Sequence, residues 1–285
     1  MIIVDFSAIF HANVNQMANY NNGVISEGLL KHMVLNSLRF SLSKHRQDGE
    51  LVVIACDDKE YWRKDRFPYY KAGRRKAREE TTIDWALAFS VMNDLKVALR
   101  ESFGYIVIQT AKAEADDIIG TLAMTIFQEM DRVLIISGDK DFQQLQRYPW
   151  VSQYDPIKKK FIECKDPIAF LKEQLIRGDA GDGVPNFLSD DDQLVTDKRA
   201  KPISKRLVED ALKTPLEDFV DYMGNNMERN SALIDLTRVP LDITTDIHSQ
   251  FINQKNTKHD ATLIEKYLEE NNLQKLKERI KDFIE

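Results

Sequence analysis

The 285-residue sequence has only two cysteines, five histidines and no long apolar run. Cys56 and Cys164 are too few for a disulfide framework, a usage that fits a reducing, intracellular setting. His11, His32, His45, His248 and His259 are scattered without zinc-ligand spacing, which argues against a histidine-based metal site. No apolar stretch approaches the roughly 20 residues of a membrane span, so no membrane partner is expected. The opening MIIVDFSAIFHANV has no basic leader and holds Asp5 inside its apolar run, so it does not read as a secretion signal. With 43% hydrophobic residues, the chain can fill one large core or two smaller ones.

Charge is abundant but unevenly placed. The net formal charge is −6, yet segment 59–78, KEYWRKDRFPYYKAGRRKAR, holds nine Lys/Arg against two acids. The remainder is therefore more acidic than the chain as a whole, a dipolar layout able to draw a polyanion to one edge. Tyr61, Trp62, Phe67, Tyr69 and Tyr70 are interleaved with those cations. Aromatics stack on unpaired bases while cations track phosphates, a pairing suited to single-stranded or frayed nucleic acid. The plainer reading is a solvated basic helix laced with salt bridges.

Apolar runs MIIV, LVVIAC, YIVIQT and RVLIIS read as strands separated by helical stretches. The stretch from Ser26, a candidate N-cap, places Leu30, Met33, Val34, Leu38 and Leu42 at helical spacing. Another helix, 114–130, puts Ile119, Leu122, Ala123, Ile126, Phe127 and Met130 on one face. Alternating strands and helices predict an α/β fold with a mainly parallel central sheet and helices on both faces. VSQYDPIKKKFIEC reads as a hairpin turning at Asp155-Pro156. After about residue 165 only helical signals remain, predicting a smaller all-helical C-terminal domain. We place the division between 1–183, with the basic segment 59–80 inside it, and 184–285.

Acids recur where strands end. Asp5 follows the first, Asp57 the second; Glu114, Asp116 and Asp117 follow the third, and Asp139 and Asp141 the fourth. Ligand sites of open parallel sheets lie beyond the carboxyl ends of the strands, so these acids should share one edge. The loop RGDAGDGVPN adds Asp179 and Asp182. Two carboxylates about 4 Å apart repel by roughly 1 kcal/mol in water and about 4 kcal/mol at an effective dielectric of 20, so the cluster requires protons or cations. Oxygen ligands without His or Cys favour Mg²⁺, with Mn²⁺ substituting, and a pair of such ions is suited to phosphodiester hydrolysis. Any one of these acids alone could be a helix cap or a turn residue.

Together these residues resemble the flap endonuclease/5′→3′ exonuclease family. The resemblance is carried by VDFS at 4–7, YWRKD at 61–65, YYKAGRRKAREETTIDW at 69–85, EADD at 114–117 and LIISGDKDFQQL at 134–145, with looser matches at 178–182 and 233–236. It implies that Asp5, Asp57, Glu114 and Asp116 hold a first metal ion. Asp117, Asp139, Asp141, Asp179 and Asp182 would serve a second, some through water. It further implies that Tyr70 stacks on a terminal base at the foot of a helical arch. Lys71 would stabilise charge on the scissile phosphate, with Arg74 and Arg75 as arch cations. Arg63, Lys64, Arg66, Lys76, Lys205 and Arg206 are the expected nucleic-acid contacts. Gly183, Asn186 and the intervening 187–201 depart from the family's duplex-gripping hairpin, which puts its K⁺ site in doubt.

The expected function is a 5′→3′ exonuclease/flap endonuclease with RNase H activity, clearing RNA primers and adjacent DNA from lagging-strand fragments. Its partners would be DNA flaps or forks and RNA–DNA hybrids, together with a single-strand-binding protein or sliding clamp. The chain would be a monomer, intracellular, and in the host cytoplasm if phage-encoded. A PIN-type ribonuclease and a non-catalytic branched-DNA binding module stand as alternatives. A haloacid-type phosphatase is disfavoured because VDFS lacks a second aspartate.

Overall fold

A computed structural model describes residues 1–74, 80–125, 131–196, 198–223 and 225–284. The run MIIV forms β1 (Ile2–Asp5), buried along its whole length as a strand covered on both faces must be. It is flanked by β2 (Val52–Ala55) and β4 (Val133–Ile136), with β3 (Ile106–Ile108) beyond β2 and β5 (Val151–Asp155) beyond β4. All these neighbours run parallel; only β6 (Lys160–Ile162) is antiparallel, closing the edge through the expected hairpin. The order β3-β2-β1-β4-β5-β6 reverses direction between β1 and β4, and the crevice of such a sheet opens beyond the carboxyl ends of those two strands.

Alternation along the strands divides the core. Ile2, Val4, Ile54, Val107, Leu134 and Ile136 face the helices Phe6–Tyr20, Glu27–His45 and Trp85–Glu101. Ile3, Val53, Ile108 and Ile135 face the helices Ala115–Thr125 and Leu241–Gln254. Ser26 stands at the N-cap of Glu27–His45 but its side chain makes no cap hydrogen bond. The helix expected over 114–130 is described over Ala115–Thr125; Ile126, Phe127 and Met130 lie outside the described residues.

Packing past residue 184 does not follow a simple two-part division. Val208, Phe219, Met227 and Leu233 join Leu171, Leu175, Phe67 and Tyr70 in a third cluster. Ile243, Ile247 and Phe251 instead pack on one face of the sheet, and Ile264, Leu268 and Phe283 on the other. The helical half thus shares one cluster with Phe67, Tyr70 and the helix Pro167–Arg177 and then returns to cover the sheet. Among the described residues, no helix is long and apolar enough to cross a membrane.

Candidate active site

Most of the acids at the strand ends stand along the β1/β4 crevice, close enough to feel one another's charge. Asp5 ends β1 and caps the next helix by accepting from the Ala8 amide at 2.9 Å, and Ser137 Oγ, just past β4, donates to its other oxygen at 2.9 Å. Asp57, beyond β2, accepts from the Ala115 amide at 2.7 Å and so fixes the start of Ala115–Thr125. Asp139 caps the 3₁₀ helix Lys140–Arg147 through the Asp141 amide at 2.9 Å. Gln174 donates to Asp141 from the helix Pro167–Arg177.

Electrostatics shows that these carboxylates share one field. Burial raises Asp5 to about 7, with the charges of Asp57 and Asp139 adding to the rise. Burial also raises Asp116 well above the usual carboxylate range, reinforced by Asp139, Glu114 and Asp5 and opposed by Lys71. By surface area Asp116 is only half-buried, but protein atoms surround it on most sides and the direction of its shift follows from them. Asp141 is lifted to about 7 by burial and by Asp139.

Cations supply part of the compensation. Glu114, 2% exposed, is engaged by Lys71 Nζ, by Arg63 Nη1 at 3.0 Å and by the Tyr70 hydroxyl at 2.9 Å. Burial would raise its pKa, but Lys71 and Arg63 outweigh that and hold it below the usual value. Asp182 meets Arg74 Nη2 at 2.6 Å and Lys71 Nζ at 3.4 Å, and Lys140 pairs with Asp179 at 2.7 Å. Burial alone would lower the Lys71 pKa, but Glu114 and Asp182 together raise it, so the ammonium stays charged.

The loop carrying Asp179 and Asp182 is held by its glycines. Gly183 sits at φ +76°, and a β-carbon there would lie 2.6 Å from the Tyr69 carbonyl oxygen. The adjoining Lys71, itself at φ +54°, donates its amide to the Asp182 carbonyl at 2.8 Å. Gly183→Ala should therefore lower stability by about 1–3 kcal/mol through strain and overlap, measured by urea unfolding. A loss below a few tenths would show that the loop yields instead.

Several expected residues stand elsewhere. Arg63 is not a surface contact: it is 1% exposed and binds Glu114, Asp117 at 2.7 Å and the Leu233 carbonyl at 2.9 Å. Asp117 is fully buried, accepting from Trp62 Nε1 at 3.0 Å and the Glu114 amide at 2.9 Å, and is turned into this clamp away from the crevice. Tyr70, expected to stack on a base, is 3% exposed with its ring in the third cluster. The more open ring here is Tyr61, with Lys64 Nζ 5.0 Å and Lys71 Nζ 5.6 Å from its centroid.

Lys64 and Arg66 are exposed, and among the described residues Lys205 and Arg206 make long surface pairs with Glu209 (3.5 Å) and Asp210 (3.6 Å). Arg75 and Lys76 lie outside the described residues. Ser137, Lys140 and Gln174 were not anticipated as supports. The first two sit within SGDKD and could have been read with its aspartates, whereas Gln174 carries no signal on its amphipathic helix.

Among the described residues, no three acids already converge as a ready-made ion cage. The donor set nonetheless fits a hard divalent cation. It consists of carboxylates alone, three of them raised by burial and repulsion, which is the penalty a bound cation removes.

Residues 1–174 match the 5′-3′ exonuclease, N-terminal resolvase-like domain. Ribonuclease H of Enterobacteria phage T4 is 31% identical over 265 residues, covering 89% of this chain and 86% of that protein. Flap endonuclease Xni of Shewanella oneidensis is 32% identical over 147 residues, 48% of this chain and 52% of its own length. A bacteriophage T5 flap endonuclease, solved as a complex with DNA and metal ions, shares the fold at a TM-score of 0.61 and 16% identity, over 90% of this chain and 99% of that one. The switch-point acids, the parallel sheet and these matches together place the chain in the 5′-3′ exonuclease family.

Proposed function

We propose that this chain is a divalent-metal-dependent 5′ nuclease that hydrolyses phosphodiesters in DNA flaps and RNA–DNA hybrids, removing RNA primers and adjacent DNA. The observation that carries the reading is the group of acids at the crevice, the buried Asp5 and the half-buried Asp116 and Asp141, all held above the usual carboxylate range by their surroundings, beside the charged Lys71 and Arg74. The relatives named ribonuclease H and flap endonuclease support the substrate class, and the T5 complex supports metal and DNA.

In this proposal Asp5, Asp57 and Asp116 would hold one Mg²⁺, and Asp139, Asp141, Asp179 and Asp182 a second, with Mn²⁺ an effective substitute. Such ions supply Lewis acidity and lower the pKa of bound water. Glu114, with both oxygens engaged, orients Lys71; its share in the first ion is secondary. Lys71 and Arg74 present fixed positive charge to the scissile phosphate and favour the charge that develops there. Lys64, Arg66, Lys205 and Arg206 would track the phosphates, giving an affinity that falls steeply with salt. Asp117 and Arg63 brace the site, and we assign them no ion or phosphate.

The direct test uses a 5′-labelled flap duplex and a 5′-labelled RNA–DNA hybrid, with Mg²⁺, Mn²⁺ or EDTA. Short 5′ products that need a divalent ion are expected. Tight, salt-sensitive binding without cleavage would instead establish the branched-DNA binding module, and cleavage of single-stranded RNA regardless of its 5′ end would establish a PIN-type ribonuclease.

Stability should report the same ions. Asp5 and Asp141 have folded pKa values near 7, above their unfolded values, so their favourable contribution is complete below about pH 4. It is lost as pH rises toward 7, because the folded state binds more protons across that window. A divalent ion competes with those protons. The thermal midpoint should therefore rise by roughly 5–8 °C at about pH 7.5 with ion near 100 Kd, and far less at about pH 5. Calorimetry showing equal shifts at both pH values would place the ions away from these acids.

A further inference from the structure

A groove of about 980 Å³ lies between the helices Phe6–Tyr20 and Glu27–His45 and the β5–β6 hairpin. It does not overlap the carboxylate crevice but adjoins it. Ala8, whose amide Asp5 accepts, and Gly138, between Ser137 and Asp139, line its inner end. Three features of its wall agree on one class of occupant.

The exposed side-chain amides of Asn15, Gln16 and Asn19 line it without a hydrogen-bond partner among the described residues. Tyr20, 80% exposed, and Phe40, 40% exposed, offer open rings. Lys159 stands at φ +54° with its ammonium 5.2 Å from the Phe40 ring centroid, beside the exposed Lys158 and Lys160. Carboxamides pair with base edges, aromatic faces stack on bases, and lysines neutralise phosphates. A lipid surface would have no use for the free carboxamides, and a purely apolar peptide would leave them and Lys159 unpaired.

We propose that this groove binds a single-stranded polynucleotide, the unpaired branch of the substrate leading to or from the carboxylate crevice. The assignment rests on the nuclease reading for its link to cleavage, but the binding itself can be measured alone. The hairpin is the device that places it: Asp155 accepts from the Ile157 and Lys158 amides, each at 2.9 Å, which sets the turn that holds Lys159 over Phe40. A β-carbon on Gly138 would lie 3.0 Å from Asp155 Oδ2, so the turn and the crevice loop are in direct register.

The experiment is fluorescence anisotropy in EDTA, with a short labelled single-stranded DNA and a blunt duplex of the same sequence, comparing wild type with Phe40→Ala/Lys159→Ala. Single-strand affinity should fall at least about fivefold and its salt slope by about 0.7, while duplex affinity stays within about twofold. Unchanged single-strand affinity, or equal losses on both ligands, would overturn the assignment and leave the groove to a protein partner. If the double variant has a lowered thermal midpoint, photo-crosslinking of an iodouracil-containing single strand to the wild type decides. Adducts on Tyr20 or Phe40 support the groove, and adducts only elsewhere overturn it. Failure of the nuclease reading would be seen separately, as absence of wild-type cleavage with Mg²⁺.

Discussion

Asp5→Asn is expected to abolish cleavage and, at the same time, to make the metal-free protein more stable at about pH 7.5. The two effects come from one cause. Asp5 is 5% exposed, and its pKa is lifted to about 7 by burial and by Asp57 and Asp139. An ionised group there is costly until a cation arrives. Asparagine keeps an oxygen for the Ala8 amide, and Asn caps a helix about as well as Asp. The relieved charge would be worth at most about 4 kcal/mol for a shift of roughly three pK units, and after relaxation of order 1–2 kcal/mol. That corresponds to a gain of roughly 3–6 °C in thermal midpoint. At about pH 4 the wild-type group is already protonated in the fold, so the gain should vanish.

Activity moves the other way. With Asp5 in the proposed ion site, loss of its anionic oxygen should remove several kcal/mol of transition-state stabilisation, a fall of about 10³-fold or more in single-turnover rate. The paired readout separates this account from simple misfolding. An inactive variant that is also less stable at about pH 7.5 would mean that Asp5 acts chiefly as a structural cap. Near-normal rates would remove it from the site altogether.

Most of this crevice was legible because strand ends are legible. A short apolar run stopping at an acid marks both the end of β4 and the residues that must lie beyond it, and parallel order then gathers Asp5, Asp57, Asp116 and Asp139 onto one edge. One helix and the placement of another escaped notice for physical reasons. Phe6–Tyr20 begins directly after β1 with no intervening loop, so MIIVDFSAIF hides the change of period at its own N-cap. Leu241–Gln254 falls in the region read as helical, but it is rich in β-branched residues and takes its stability from burying Ile243, Ile247 and Phe251 against the sheet, a placement no local propensity reveals. The cationic stripe misled in a different way. Lysine and arginine are counted as surface residues by default, yet burial of Arg63 and Lys71 depends on acids some fifty residues away in sequence. Composition located the charge; only the fold shows which of its members face solvent.

Arg63 makes that difference measurable. If it were a phosphate contact, Arg63→Met would weaken DNA binding modestly, lower the salt slope by about one and leave the fold intact. The structure predicts the reverse. Its guanidinium ties Trp62–Arg66 to Asp117 on Ala115–Thr125 and, through the Leu233 carbonyl, to Asn225–Ile234. Burial disfavours its charge, but Asp117, Tyr70 and Glu114 outweigh that and hold it firmly protonated. Glu114 would survive the loss with Lys71 and Tyr70, whereas the fully buried Asp117 would keep only the Trp62 indole and the Glu114 amide against its charge. Stranding a buried anion in this way costs about 3–5 kcal/mol, a large part of a typical domain's stability. Urea unfolding should show that loss, with the salt slope of DNA binding by the folded fraction unchanged. The double variant Arg63→Met/Asp117→Leu should recover part of it, because removing both charges leaves neither unpaired. A double variant less stable than Arg63→Met would mean that Asp117 matters chiefly for its bonds to Trp62 and Glu114, and that the clamp is held from the acid's side.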